Sequence, residues 1–216
     1  MTRQYQIQKI TGKPDWNKIE KAPIDQKLWL PCEQISAYAQ LAYDDSRLYV
    51  RLHAEEPTIR AENTGMLDQP CQDSCLEFFF SAAEQDARYI NIELNPSLCI
   101  YFGFGTGRED LMRILLPDGA KTLHAASERT PSGWDVTYEL PFQLLRLIFP
   151  DFLSAAAENK IIKNKIRTEG WLTNNESQQS SPRQNEQEGF GHSGSVRGTG
   201  THHRRGLSGR AWHMAG

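Results

Sequence analysis

Asp68-Gln69-Pro70-Cys71-Gln72-Asp73-Ser74-Cys75-Leu76-Glu77-Phe78-Phe79-Phe80, followed closely by Tyr89-Ile90-Asn91-Ile92-Glu93-Leu94-Asn95-Pro96, is the stretch on which the fold turns. Side chains alternate across a strand, so Leu76, Phe78 and Phe80 share one face of the first segment, and Ile90, Ile92 and Leu94 share one face of the next. Those faces predict two strands that line a core. The opposite faces carry Glu77 and Phe79 on one strand, and Tyr89, Asn91, Glu93 and Asn95 on the other. Aromatic planes set among hydrogen-bonding groups suit a polyhydroxylated ligand better than bare solvent.

Working outward, the chain keeps reading as strand, turn, strand up to about Pro150. Tyr5 to Ile10 alternates, as do Ala37 to Tyr43 and Leu48 to Ala54 on either side of Asp44-Asp45-Ser46, a hairpin pattern. Leu98 to Phe104 is a further strand, with Gly103, Gly105 and Gly107 marking its end. Lys121 to Glu128 is expected to pair with Trp134 to Leu140 across the turn residues Thr130-Pro131-Ser132-Gly133. Pro141 ends the last clear strand, and Phe142 to Phe149 predicts a short helix over one end of the sheets. Many short strands separated by turns predict an all-β fold, an antiparallel β-sandwich of jelly-roll or immunoglobulin-like kind, over residues 5–150.

Beyond Pro150 the material changes. Ala155-Ala156-Ala157, with Ile162 and Ile166 on one face, predicts a helix within residues 151–172. Residues 173–216 are rich in Ser, Gln, Asn, Gly, Arg and His, and so few aliphatic side chains cannot offset the entropy of ordering the backbone; a disordered tail is expected. Charge divides the same way: residues 1–150 hold 15 Lys/Arg against 21 Asp/Glu, whereas 151–216 hold 9 against 6. An overall charge of −3 gives no general reason to expect nucleic acid or an anionic membrane as partner, and His202-His203-Arg204-Arg205 is too short a basic cluster to argue one. The opening residues lack the apolar stretch of a signal peptide, and no run is long enough to span a bilayer, so a cytoplasmic protein is expected. In that compartment Cys32, Cys71, Cys75 and Cys99 read as reduced thiols, with Cys75 and Cys99 as small buried hydrophobes.

Tyr43 to Arg51, Asp73 to Phe80, Tyr89 to Pro96 and Gly133 to Phe142, in that order and spacing, resemble the carbohydrate-binding module family 9-like domains of the stand-alone bacterial type. The resemblance covers about residues 5–150 and implies a sugar-binding β-sandwich without catalysis. Characterised members clamp a sugar between two tryptophans, hold it with charged and amide side chains, and use calcium for structure. By that likeness Glu77 falls on the family glutamate of the Asp-Ser-x-x-Glu motif and Arg108 on a ligand-facing arginine. With Asn91, Glu93, Phe79 and Tyr89 they make up the expected ligand-binding set for a mono- or oligosaccharide. Leu67 to Gln72 lacks the tryptophan that the family carries there, so Phe79, Tyr49 or Tyr89 must supply the stacking plane. The family's further strands after the Pro-Phe have no counterpart, which predicts either an out-of-frame ending and a truncated, inactive sandwich, or a native disordered extension.

Other readings of the same residues stand beside this one. Glu77 and Glu93 form a candidate glycosidase pair, and Asp68 and Asp73, with Asp44 and Asp45, are candidate calcium ligands. Cys71 and Cys75 have the spacing of half a zinc site, with no matching Cys/His pair downstream. His53, His124 and Met112 are available as axial ligands for a haem-binding sandwich. Trp134, in phase with Val136, Tyr138 and Leu140, reads as core. His53 shares a face with Tyr49 and Arg51.

Overall fold

A computed structural model of the chain describes residues 5–25, 34–82 and 86–150. Its strands are β1 (Gln8–Lys9), β2 (Ala22–Ile24), β3 (Ser36–Tyr43), β4 (Arg47–Glu55), β5 (Leu76–Phe80), β6 (Tyr89–Leu94), β7 (Ile100–Gly105), β8 (Met112–Arg113), β9 (Ala126–Arg129) and β10 (Gly133–Pro141). Two helices, α1 (Gly119–Thr122) and α2 (Phe142–Ile148), join them. The first sheet runs β1-β3-β4-β10-β9, with β2 also on β3, and the second runs β5-β6-β7-β8. All pairings are antiparallel except the short one of β1 with β3. The chain is therefore an all-β sandwich over the described residues.

Period-two alternation builds the core. Leu41, Val50 and Tyr138 fall in register across β3, β4 and β10, as do Ala39, Leu52 and Val136, so one face of the first sheet is continuous apolar surface. Phe78, Ile92 and Phe102 align likewise across β5, β6 and β7 and face it. Phe142 and Leu145 of α2 and Phe149 close one end, as the sequence predicts. Trp134 lies fully buried in this core, also as expected. The β3–β4 hairpin turns on Asp44, whose Oδ1 accepts from the Ser46 amide at 2.6 Å and the Arg47 amide at 2.9 Å. A carboxylate that satisfies two backbone donors is a sufficient reason for Asp-Asp-Ser at this corner.

Two segments depart from the sequence reading. The strand expected from Lys121 to Glu128 is reduced to β9, because the chain turns at Asp118 (φ 46°), forms α1, and turns again at His124 (φ 46°). Leu123 supplies the reason, for it drops its side chain fully into the core and takes the backbone off the strand path. The strand expected from Tyr5 to Ile10 is only β1, and Tyr5 instead bonds the Glu20 carbonyl at 2.5 Å. Among the described residues Cys71, Cys75 and Cys99 form no disulfide with one another, and no helix is long and apolar enough to cross a membrane. The helix expected within 151–172 and the tail over 173–216 lie outside the described residues, as do Trp29, Cys32, Trp171 and Trp212.

Candidate functional site

The outer face of the second sheet gathers the polar residues that the sequence singles out. Cys75 precedes β5 in phase with Glu77 and Phe79, while Tyr89, Asn91 and Glu93 occupy the same face of β6. Pairing sets Glu77 directly opposite Glu93, and Phe79 opposite Asn91. On β7, Tyr101 stands opposite Glu93, and Gly103 stands between Asn91 and Arg113. A Cβ on Gly103 would lie 2.6 Å from Cε1 of Tyr101, so the glycine lets the phenol ring cross the sheet here. Arg113 stacks over that ring, its guanidinium carbon 5.1 Å from the centroid. Phe79 and Tyr89 form a tilted, half-exposed aromatic pair with centroids 5.9 Å apart.

Five residues of the expected ligand set thus share one face, with Arg108 in the turn after β7, but two of the five are less open than the sequence suggests. Glu77 is 6% exposed and Asn91 4%. The 3-10 turn Pro70–Gln72 packs on β6, bringing the Cys71 thiol against Glu93. Asn91 Nδ2 donates to Glu93 Oε1 at 2.7 Å. Burial pushes the Glu93 carboxyl above its ordinary range, although the Asn91 amide and the positive charges of Arg113 and Arg108 work the other way. Arg108, exposed in the 3-10 turn after β7, is therefore close enough to act electrostatically on this group. The polar residues form a shielded floor, with the aromatic pair and Arg108 at its rim.

Asp68 and Asp73, the calcium candidates, lie in the segment before β5 and hold backbone amides. Asp68 Oδ2 accepts from the Gly65 amide at 2.7 Å and the Thr64 amide at 3.1 Å. Asp73 Oδ2 accepts from the Asn63 amide at 2.8 Å and Asn95 Nδ2 at 2.7 Å, and Arg60 lies 3.4 Å from Oδ1. One oxygen of each carboxylate thus accepts from N–H donors, and these contacts organise the loop before β5. The haem candidates do not converge. His53 bonds Asp135 on the first sheet, His124 bonds Glu139, and Met112 lies on the second sheet. His53 belongs to a structural network in which Arg51 also grips Asp135 and reaches Gln40, which anchors the Trp16 and Ile19 carbonyls.

A cavity of about 220 Å³ is lined by Met66, Leu98, Ile100, Phe102, Leu115 and Arg113 among others. Of its charged groups Arg113 is committed, donating to the Met66, Leu67, Asp68 and Ile100 carbonyls at 2.7–3.2 Å. Arg113 was not legible as a site neighbour, because a two-residue strand carries no periodic signal. Cys75 was legible in principle, being two residues before Glu77 and so on its face.

The model of carbohydrate-binding family 9 matches residues 10–123, more than half of the chain. The chain belongs to carbohydrate-binding family 9. A protein from Bacteroides uniformis ATCC 8492 described as carbohydrate-binding shares 19% identity with this family 9 chain, over 67% of it and 73% of the other, with a TM-score of 0.50. A family 9 module from Caldicellulosiruptor kristjanssonii, solved with cellotriose, shares 16% identity over 63% of this chain and 66% of its own, with a TM-score of 0.45. Solved with glucose, that module gives 16%, 62%, 66% and 0.43. At these identities the first likeness speaks for the fold. No curated protein matches the chain. Among the described residues this family 9 domain has Trp16 and Trp134, one packed beside Ile19, Ala42 and Tyr49 and the other in the core, and neither stands on the floor that holds Glu77.

Proposed function

We propose that the chain binds a mono- or oligosaccharide without catalysis, through the outer face of the second sheet. The observation that carries this reading is the meeting of Glu77, Asn91 and Glu93 with the Phe79–Tyr89 pair on one surface of a family 9 chain. Stacking of a pyranose ring on Phe79 or Tyr89 supplies affinity, and the carboxylate, amide and guanidinium groups fix the orientation of vicinal hydroxyls. Absence of turnover is supported by membership of a carbohydrate-binding family.

Titration calorimetry of the folded full chain with mono- and oligosaccharides tests the proposal. Saturable heat is expected, weakened about tenfold, or roughly 1.4 kcal/mol, by Phe79→Ala. Glu77→Gln removes a charged acceptor and should cost about 1.5–3 kcal/mol. Absence of heat with every glycan, from protein whose cooperative melt proves it folded, ends the proposal. Turnover of a glycoside that vanishes in Glu77→Gln replaces it with an enzyme.

A further inference from the structure

The floor of the second sheet poses an electrostatic problem that saccharide recognition does not answer. Two glutamates stand directly opposite each other on neighbouring strands, both turned to the same shielded face. Two like charges this close, taken out of water, are costly unless a proton or a cation lies between them. A third donor is present. Cys75 Sγ and one oxygen each from Glu77 and Glu93 all lie within 4.8 Å of one another, and Cys75 is only 1% exposed. The Cys71 thiol approaches from the 3-10 turn above, beside Glu93.

A second, independent observation concerns what these groups leave unused. Asn91 Nδ2 holds Glu93 Oε1, yet the Asn91 Oδ1 and Glu93 Oε2 atoms, both sealed from solvent, accept no hydrogen bond. Buried polar atoms are rarely left so. One oxygen of Glu93 is fixed by a neighbour while the other is bare, which is how an outer amide orients a ligating carboxylate.

We propose that Cys75, Glu77 and Glu93, with Cys71 as the fourth donor, form a binding site for a divalent cation of the zinc class. The donor types select the ion. Calcium and magnesium take oxygen ligands throughout, whereas a thiolate with carboxylates suits zinc, which accepts sulfur and oxygen in a tetrahedron. Tetrahedral bonds of about 2.0–2.3 Å put neighbouring donor atoms roughly 3.5 Å apart, so small side-chain rotations close the present spacing onto an ion. Burial keeps the Cys75 thiol protonated in the absence of metal, and coordination would release that proton to water. The inference shares Glu77 and Glu93 with the saccharide reading, but Cys71 and Cys75 belong to it alone and contribute nothing to sugar binding.

Cobalt(II) titration of the reduced full chain tests it, because sulfur-to-cobalt charge transfer gives a near-ultraviolet band that His192, His202, His203 and His213 cannot produce. One cobalt per chain with that band, displaced by zinc, is expected. Cys75→Ser and Cys71→Ser should each weaken the band, the double variant should abolish it, and Glu93→Gln should weaken cobalt binding at least about tenfold. Cys99→Ser, a buried thiol facing the Gly65 carbonyl, should leave the band unchanged. Phe79→Ala, which removes sugar stacking but no donor, should also keep it, so the two readings fail separately. No charge-transfer band from folded wild-type chain overturns the proposal. So does a band that survives loss of both Cys71 and Cys75, or one that disappears with Cys99→Ser.

Discussion

Trp134 carries the largest fully buried side chain in the core, yet its indole N–H finds a partner: Nε1 donates to Glu56 Oε1 at 2.5 Å. Burial raises the Glu56 carboxyl above its ordinary range, although bonds from Ser74 and Trp134 oppose this. Removing the indole therefore opens a cavity and strips a donor from a buried acid. Trp134→Phe is expected to destabilise the chain by about 2–4 kcal/mol, read as a lower denaturant midpoint at unchanged slope by circular dichroism. Alternation with Val136, Tyr138 and Leu140 was enough to place Trp134 in the core. It gave no sign of Glu56, which lies 78 residues away along the chain. The same limit applies at the floor of the second sheet, where Glu77 and Glu93 were legible as sharing a face. Their shielding depends on Cys71 and Tyr101, which arrive from other segments.

At the scale of elements, the β3–β4 hairpin was readable because two alternating runs flank a turn whose aspartate caps it locally. The segment before β9 was not, since α1 forms around Leu123, and what draws Leu123 inward is a core assembled from both sheets. The pairing of β4 with β10 depends on one small residue. A Cβ on Gly133 would fall 1.9 Å from the Ala54 carbonyl oxygen, so any side chain there forces the two central strands apart. Gly133→Ala is expected to cost about 3 kcal/mol or more, seen as a lowered melting temperature. A melt equal to that of the wild type would show that the strands can separate at this end without loss.

The molecule as a whole is stabilised against acid by carboxylates that folding equips with donors. Burial works to raise Asp44 and Glu139. For Asp44 the Ser46 and Arg47 amides and the Ser46 and Tyr49 hydroxyls outweigh it, and for Glu139 the His124 and Arg47 bonds do. Both end below their ordinary values of 3.8 and 4.5. A depressed folded pKa contributes stability that is complete above the unfolded value and is lost as pH falls through the folded one. Melting temperature should therefore decline on acidification below about pH 5, and Asp44→Asn should flatten that decline. Glu56, raised rather than lowered, has the opposite sign: its contribution fades as pH rises above 4.5. A melting temperature that is flat on the acid side would refute the assignment of these hydrogen bonds.

The sequence alone determined the two-sheet architecture, the strand faces and the set of polar residues that share one of them, because alternation along a strand is local and of fixed period. Only the tertiary structure decided which of those residues lie under cover, that two thiols join the glutamate pair, and that Asp68 and Asp73 organise the loop before β5. Burial and donor supply are set by segments distant along the chain. No local period encodes which distant turn will fold over a given strand.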